Sequence, residues 1–252
     1  MLQELLSAES FAAFLVFCRL GSAFALLPGF GETFVSMRSR LMMALAVSFV
    51  LTPAVQSSLP ALPPAPIGLV FLVCQEIGIG LFLGMVARTM LAALQTAGMV
   101  VGMQTGLSSA LVFDPGFTQQ SAATGAFLSM LGIVMIFTTD THHVMLAALA
   151  DSYATLPAGR LPPLDDFTTA IVRVSAESFA LGVRISAPFL VFGVVFFFGL
   201  GLLARLMPQI QVFFLAVPLQ IALGLAVFVL TLALGMATFL DAFRSSLIAV
   251  RF

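Results

Sequence analysis

Charge is what this sequence has least of: 8% of its 252 residues are Asp, Glu, Lys or Arg, whereas 61% are hydrophobic and the mean hydropathy is +1.15. Soluble domains run near a quarter charged residues, because a water-facing surface needs them. There are too few here to coat a globule of this size, so the missing solvent-facing surface faces lipid or other subunits. The composition predicts an integral membrane protein built from α-helices. Lysine is absent, all ten basic residues being arginine, which excludes a Schiff-base lysine and a phosphate-loop lysine. A net charge of −1 suggests neither a nucleic-acid partner nor an anionic surface. The two cysteines, Cys18 and Cys74, both lie in apolar runs without framework spacing, and read as two buried small hydrophobes.

Catalytic patterns are scarce too. No serine sits in a nucleophile-elbow glycine pattern followed by suitable partners. Asp165 and Asp166 lie in a proline-rich stretch and read as solvated. The densest polar cluster is Thr138-Thr139-Asp140-Thr141-His142-His143. Adjacent histidines on one helix diverge by about 100°, whereas a zinc-binding helix places two histidines four apart with a glutamate between them. Asp140 and Thr141 read instead as a helix-capping turn. The residues point to no catalytic centre, no cofactor and no metal site.

What the chain has in abundance is apolar runs. A spanning helix needs about 20 predominantly apolar residues. Six runs qualify in outline: Phe11–Leu27, Leu41–Val55, Ile67–Ala87, Ala122–Phe137, Phe179–Ala204 and Val212–Leu240, the second and fourth being short. The stretch Leu91–Phe113, moderately apolar and glycine-rich, is ambiguous. Arg19 lies within the first run, so that run reads as a retained helix rather than a cleaved signal. Between the runs, Thr52–Pro66 reads as a proline-rich extended linker, and Thr138–Glu177 as the longest polar connection. Arginine placement favours an outside N-terminus, yet Arg244 and Arg251 then fall on the wrong side, so the positive-inside rule does not settle the orientation.

Two charges near the middle of apolar runs, Arg19 and Glu76, need a partner or a polar cavity, since a charge at the bilayer centre costs about 2.5–3.5 kcal/mol on insertion scales. A proton or ion relay, a structural ion pair and a contact with a neighbouring subunit are the open readings, with protein–protein contact favoured. Gly98, Gly102 and Gly106 recur every fourth residue, as do Gly80 and Gly84, a spacing that lets helix backbones approach closely in membranes. Directly after them comes Gly106-Leu107-Ser108-Ser109-Ala110-Leu111-Val112-Phe113-Asp114-Pro115-Gly116-Phe117. Small, weakly polar residues ended by Asp-Pro suit a folded-back loop better than a spanning helix. A tight interhelical turn in a packed core is the alternative.

Taken in order, Gln104–Pro115, Thr139–His143, Asp151-Ser152-Tyr153 with Leu156-Pro157, and Arg205–Phe213 with Pro218 and Gly224 resemble the FliR/SctT family of type III secretion export-gate proteins, its flagellar branch in preference to the injectisome one. The match spans almost the whole chain; Thr141 stands where the family usually has glycine and Gln211 where it often has asparagine. The resemblance implies an all-α polytopic membrane protein of about six hydrophobic helices arranged as hairpins, with a re-entrant or plug loop. It implies one domain over residues 1–252, with 1–178 FliP-like and 179–252 a FliQ-like C-terminal hairpin. It further implies a non-enzymatic pore subunit of the bacterial inner membrane and flagellar basal body, partly lifted to the periplasmic side. The implied partners are FliP-like and FliQ-like gate subunits and an FlhB-like switch protein, with unfolded flagellar proteins in transit. Segments that look transmembrane by hydropathy are then largely packed against other subunits, and Gly106–Phe117 is the pore plug. A small-solute secondary transporter, which often shows two related halves with matched broken helices, and a membrane enzyme, which needs converging acids, histidines or a nucleophile, are the competing classes; neither pattern is in the sequence.

Overall fold

The structure, a computed structural model, describes residues 2–107, 120–160, 164–207 and 212–249. Among these there are seven α-helices and no strand: α1 (Leu2–Leu26), α2 (Met37–Val55), α3 (Pro66–Gln104), α4 (Gln120–Thr138), α5 (Thr141–Thr155), α6 (Leu164–Leu206) and α7 (Val212–Ala249). Five are long and apolar enough to cross a membrane, and α4 with α5, broken at residues 139–140, makes a sixth. An α-helix satisfies every interior backbone group within itself, which is what allows these segments to sit in lipid. The protein is an all-α membrane protein.

Local chemistry sets several boundaries. Ser36 caps α2 by accepting from the Ser39 backbone N–H at 3.2 Å. Pro66 opens α3 at the first helical position, where a missing N–H removes no bond. Four expectations need correction. The Thr52–Pro66 linker is shorter than it reads, because α2 runs through Pro53 to Val55 and a 3-10 turn follows at Gln56–Ser58. The ambiguous stretch is helical from Leu91 to Gln104, as the continuation of α3. The polar connection Thr138–Glu177 contains α5 and the first turns of α6. Cys18 is half-buried and Cys74 exposed, so the cysteines are not a buried pair.

The chain divides into two compact units. The first comprises Met1–Met90, Phe137–Ser175 and Arg244–Phe252. Its core is built on the inner face of α1, where Leu15, Val16, Leu20, Ala23 and Phe24 recur at helical spacing and are fully buried, as are Ile79 of α3 and Met145 of α5.

The second unit comprises Leu91–Ile136 and Ala176–Phe243, and the C-terminal part of α3 is packed on α4, α6 and α7. Helices α3 and α4 run antiparallel, with Gly98 opposite Gly125 and Leu94 opposite Gly132. A Cβ on Gly98 would overlap the backbone at Gly125, so these two helices touch backbone to backbone. Gly182 and Gly193 of α6 meet Ala93 and Gln104, which places α6 parallel to α3. Ile185 against Gly235, and Phe189 against Phe228 at 6.1 Å between ring centroids, make α6 and α7 an antiparallel hairpin.

Candidate functional site

The most polar buried site lies within the first unit. Arg19 and Glu76, both fully buried, form a two-point ion pair: Nε to Oε2 at 2.8 Å and Nη2 to Oε1 at 2.9 Å. The same guanidinium donates from Nη1 to the Ser152 hydroxyl at 3.0 Å and from Nη2 to the Leu156 carbonyl at 3.0 Å. Its carbon stands 3.9 Å from the centre of the Tyr153 ring. One side chain of α1 therefore ties α3 and α5 together. The guanidinium suits this role because its rigid fork presents several donors in one plane. Gly80 of α3 packs against the Arg19 carbonyl and the Ser22 side chain, and that close approach brings Glu76 within reach. The cover over this pair comes from the chain's own helices.

A second site closes the C-terminal end of α3, in the second unit. Gly102 is buried in the last turn of α3. Gly106, also buried, follows the helix with φ +76°, a left-handed conformation that favours glycine. The Gln220 side chain of α7 lies on it, with Cδ 3.0 Å from where a Cβ would stand. Gln220 also donates from Nε2 to the Gln104 carbonyl at 2.9 Å. Of the loop expected at Gly106–Phe117, Gly106 and Leu107 are described; Ser108, Ser109, Ala110, Leu111, Val112, Phe113, Asp114, Pro115, Gly116 and Phe117 lie outside the described residues.

The third polar site is the break between α4 and α5. Asp140 occupies the N-cap position of α5 with φ 56° but makes no side-chain capping bond. Arg244 of α7 holds the turn instead, donating to the Thr141 hydroxyl at 2.9 Å and to the Thr139 carbonyl at 3.0 Å. The histidines do not diverge: their rings stand 4.1 Å apart, with His142 stacked on Phe137 at 5.1 Å. Asp140, His142 and His143 offer ligand atoms within 4.8 Å of one another. The His143 and Asp140 side chains are 69% and 78% exposed.

With this geometry in place, comparison with known proteins is decisive. The family model described as "Bacterial export proteins, family 1" matches residues 10–246. The chain belongs to this family. It is 39% identical over 239 residues to the flagellar biosynthetic protein FliR of Caulobacter vibrioides, covering 95% of both chains. It is 29% identical over 201 residues to the FliR of Escherichia coli, covering 79% of this chain and 76% of that one. Over 229 residues it is 27% identical to the Yop proteins translocation protein T of Yersinia pestis, with 89% and 87% covered.

For a member of this export family, the sequence brings forward only part of what the structure joins. Arg19 and Glu76 stand out as charges in apolar runs. Gln220, Gly125 and Arg244 do not: an uncharged amide 116 residues from its partner, a lone glycine and an arginine near the chain end carry no local pattern. Thr141 is buried and supplies the hydroxyl that Arg244 donates to.

Proposed function

We propose that the chain is a non-enzymatic core subunit of the flagellar type III protein export gate. In this reading it forms the export pore with FliP-like and FliQ-like subunits, adjoins an FlhB-like switch protein, and passes unfolded flagellar proteins across the inner membrane at the basal body. Residues 1–178 are the FliP-like part and 179–252 the FliQ-like hairpin. Residues Gly106–Phe117 are the plug of the closed pore. The flagellar reading is preferred to the injectisome one because the Caulobacter relative is much nearer than the Yersinia one.

One observation carries the reading. The apolar helical stretch Asp165–Leu206 is 42 residues long, and Pro66–Gln104 is 39. At 1.5 Å per residue the first is about 63 Å long, twice the hydrocarbon thickness of about 30 Å. Even tilted by 40° it spans about 48 Å. About a third to a half of the helix therefore lies beyond the hydrocarbon, depending on tilt, and in its most apolar 18-residue window only 11% of the residues are buried by the chain itself. Other protein is the natural cover for that surface.

The pore and its plug are tested together by deleting Ser108–Val112 and purifying the complex with its partner subunits. The assembled deletion variant is expected to raise ion conductance in planar bilayers well above the parent, and to make cells salt-sensitive. A variant that fails to assemble identifies the segment as a packing turn. An assembled variant that conducts no more than the parent refutes the plug.

A further inference from the structure

We propose that the cleft between α1 and α2 binds an anionic phospholipid, which lays an acyl chain along the helical hairpin and its phosphate on Arg40. The inference goes beyond the export reading and does not depend on it.

The cleft lies within the first unit. Phe17, Gly21 and Ala25 of α1, Leu41 and Ala44 of α2 and Ile77 of α3 line it, and its volume is about 340 Å³, the size at which small-molecule clefts begin. From Phe17 to Ala25 the wall runs about 12 Å along α1. The Ser22 hydroxyl on that wall is already spent on the Arg19 carbonyl at 2.9 Å. An apolar trough of this kind accepts a hydrocarbon chain and offers a water-soluble ligand little to bond.

Arg40 is the charged residue of the lining, and its charge is uncancelled. Its guanidinium donates from Nε to the Phe30 carbonyl at 2.9 Å and from Nη2 to the Glu32 carbonyl at 3.0 Å. Two neutral carbonyls hold the fork in place but supply no counter-charge. The Glu32 carboxylate is taken by Arg88 at 3.0 Å. Arg38, exposed two residues before Arg40, pairs with no carboxylate among the described residues and adds to the local field. Three arginines thus share one glutamate, whereas Arg19 has Glu76 as its own partner. Uncancelled positive charge beside an apolar trough fits an anion with an apolar tail. A guanidinium fork matches phosphate oxygens, and basic pockets between membrane helices bind anionic head groups in this way.

The depth of Arg40 agrees with this occupant. Between Pro66 and Arg88, α3 holds 21 residues whose one charge, Glu76, is paired with Arg19. That stretch is about 32 Å long, one hydrocarbon thickness. A crossing by it sets Arg88 at the level of the lipid phosphates. Arg40 stands at the same level, because both arginines hold Glu32, one by its carboxylate and the other by its carbonyl.

The experiment uses the full chain co-expressed with its FliP-like and FliQ-like partners and reconstituted in phosphatidylcholine vesicles. The vesicles carry a diazirine-tailed phosphatidylglycerol or, in a second arm, a diazirine-tailed phosphatidylcholine. After illumination, labelled peptides of this chain are mapped by mass spectrometry. The phosphatidylglycerol probe is expected to label the segments 17–25 and 37–44, and to do so in preference to the phosphatidylcholine probe. Arg38→Gln is expected to lower that labelling about fivefold, the weight of one arginine beside an anionic lipid, and Arg40→Gln at least as much. Gly21→Leu is expected to abolish it by filling the cleft, since a Cβ there meets only the Phe17 ring, at 3.5 Å. Arg160→Gln, at an exposed arginine outside the cleft, is expected to match the parent. Because Arg40 also holds the turn between α1 and α2, Arg38→Gln and Gly21→Leu decide the outcome if Arg40→Gln does not assemble. Equal labelling by the two probes, or labelling that survives Gly21→Leu, overturns the proposal. So does an unlabelled cleft in the assembled complex, which would assign the cleft to a protein subunit.

Discussion

Arg19 carries a full charge at a position without solvent exposure, and its whole surroundings are built to receive it. Glu76 takes two of its donors, and Ser152 and the Leu156 carbonyl take others. Removing one partner leaves the other charged and buried, which costs about 3–5 kcal/mol. Arg19→Ala and Glu76→Ala are therefore expected to lower the yield of assembled complex sharply. Arg160→Ala, at an exposed residue whose carbonyl rather than side chain accepts from Gln75, is expected to match the parent. The double change Arg19→Met with Glu76→Leu removes both charges at similar volume, and such replacements are often neutral. Pull-down yield and swimming motility of the double variant separate the readings of this pair. A structural pair predicts recovery of both. Recovered assembly with lost motility identifies the charges as part of a relay.

At the scale of the helix, packing is set where backbones touch. A methyl group on Gly98 has no space against Gly125, so Gly98→Ala is expected to separate α3 from α4 and reduce thermal stability of the complex. Gly78 of α3 has nothing within contact range in the chain. Gly78→Ala is expected to leave the complex unchanged or to stabilise it by about 0.5–1 kcal/mol, the helical advantage of alanine over glycine. Melting curves of the two variants check both outcomes, and equal melting temperatures contradict this account of the α3–α4 contact. The same contacts explain which helices the sequence reveals. Runs such as Val212–Leu240 are uniformly apolar and stand out by hydropathy. Helix α3 hides its length because its apolar run stops at Arg88, but that arginine pairs with Glu32 at 3.0 Å and the helix continues. Helix α5 reads as a polar connection because its hydroxyls look solvated. In the fold, Thr141 and Ser152 are buried as partners of Arg244 and Arg19. Hydropathy registers a polar atom but not the partner that neutralises it. Pairs such as Gln104 with Gln220 leave no trace in spacing at all.

On the scale of the whole molecule, the apolar surface is larger than one bilayer can cover. Helices α6 and α7 bury 11% of their apolar windows within the chain, against 44% for α3. On α6 an exposed stripe runs through Val191, Val194, Val195, Phe198 and Leu202, the spacing of a helix face that expects a neighbour. On α7, Val229, Leu230 and Leu234 are likewise exposed. Family membership across residues 10–246 supplies the context in which such surface is useful, since an export subunit of this kind is one piece of a larger gate. The central claim is that partner subunits, and not lipid alone, cover these faces. Its most direct test is the mass of the detergent-solubilised particle, measured by size exclusion with light scattering for the chain expressed alone and with FliP-like and FliQ-like partners. The account predicts polydisperse aggregates for the chain alone and one monodisperse hetero-oligomer on co-expression; a stable, monodisperse monomer that gains no partner on co-expression contradicts it.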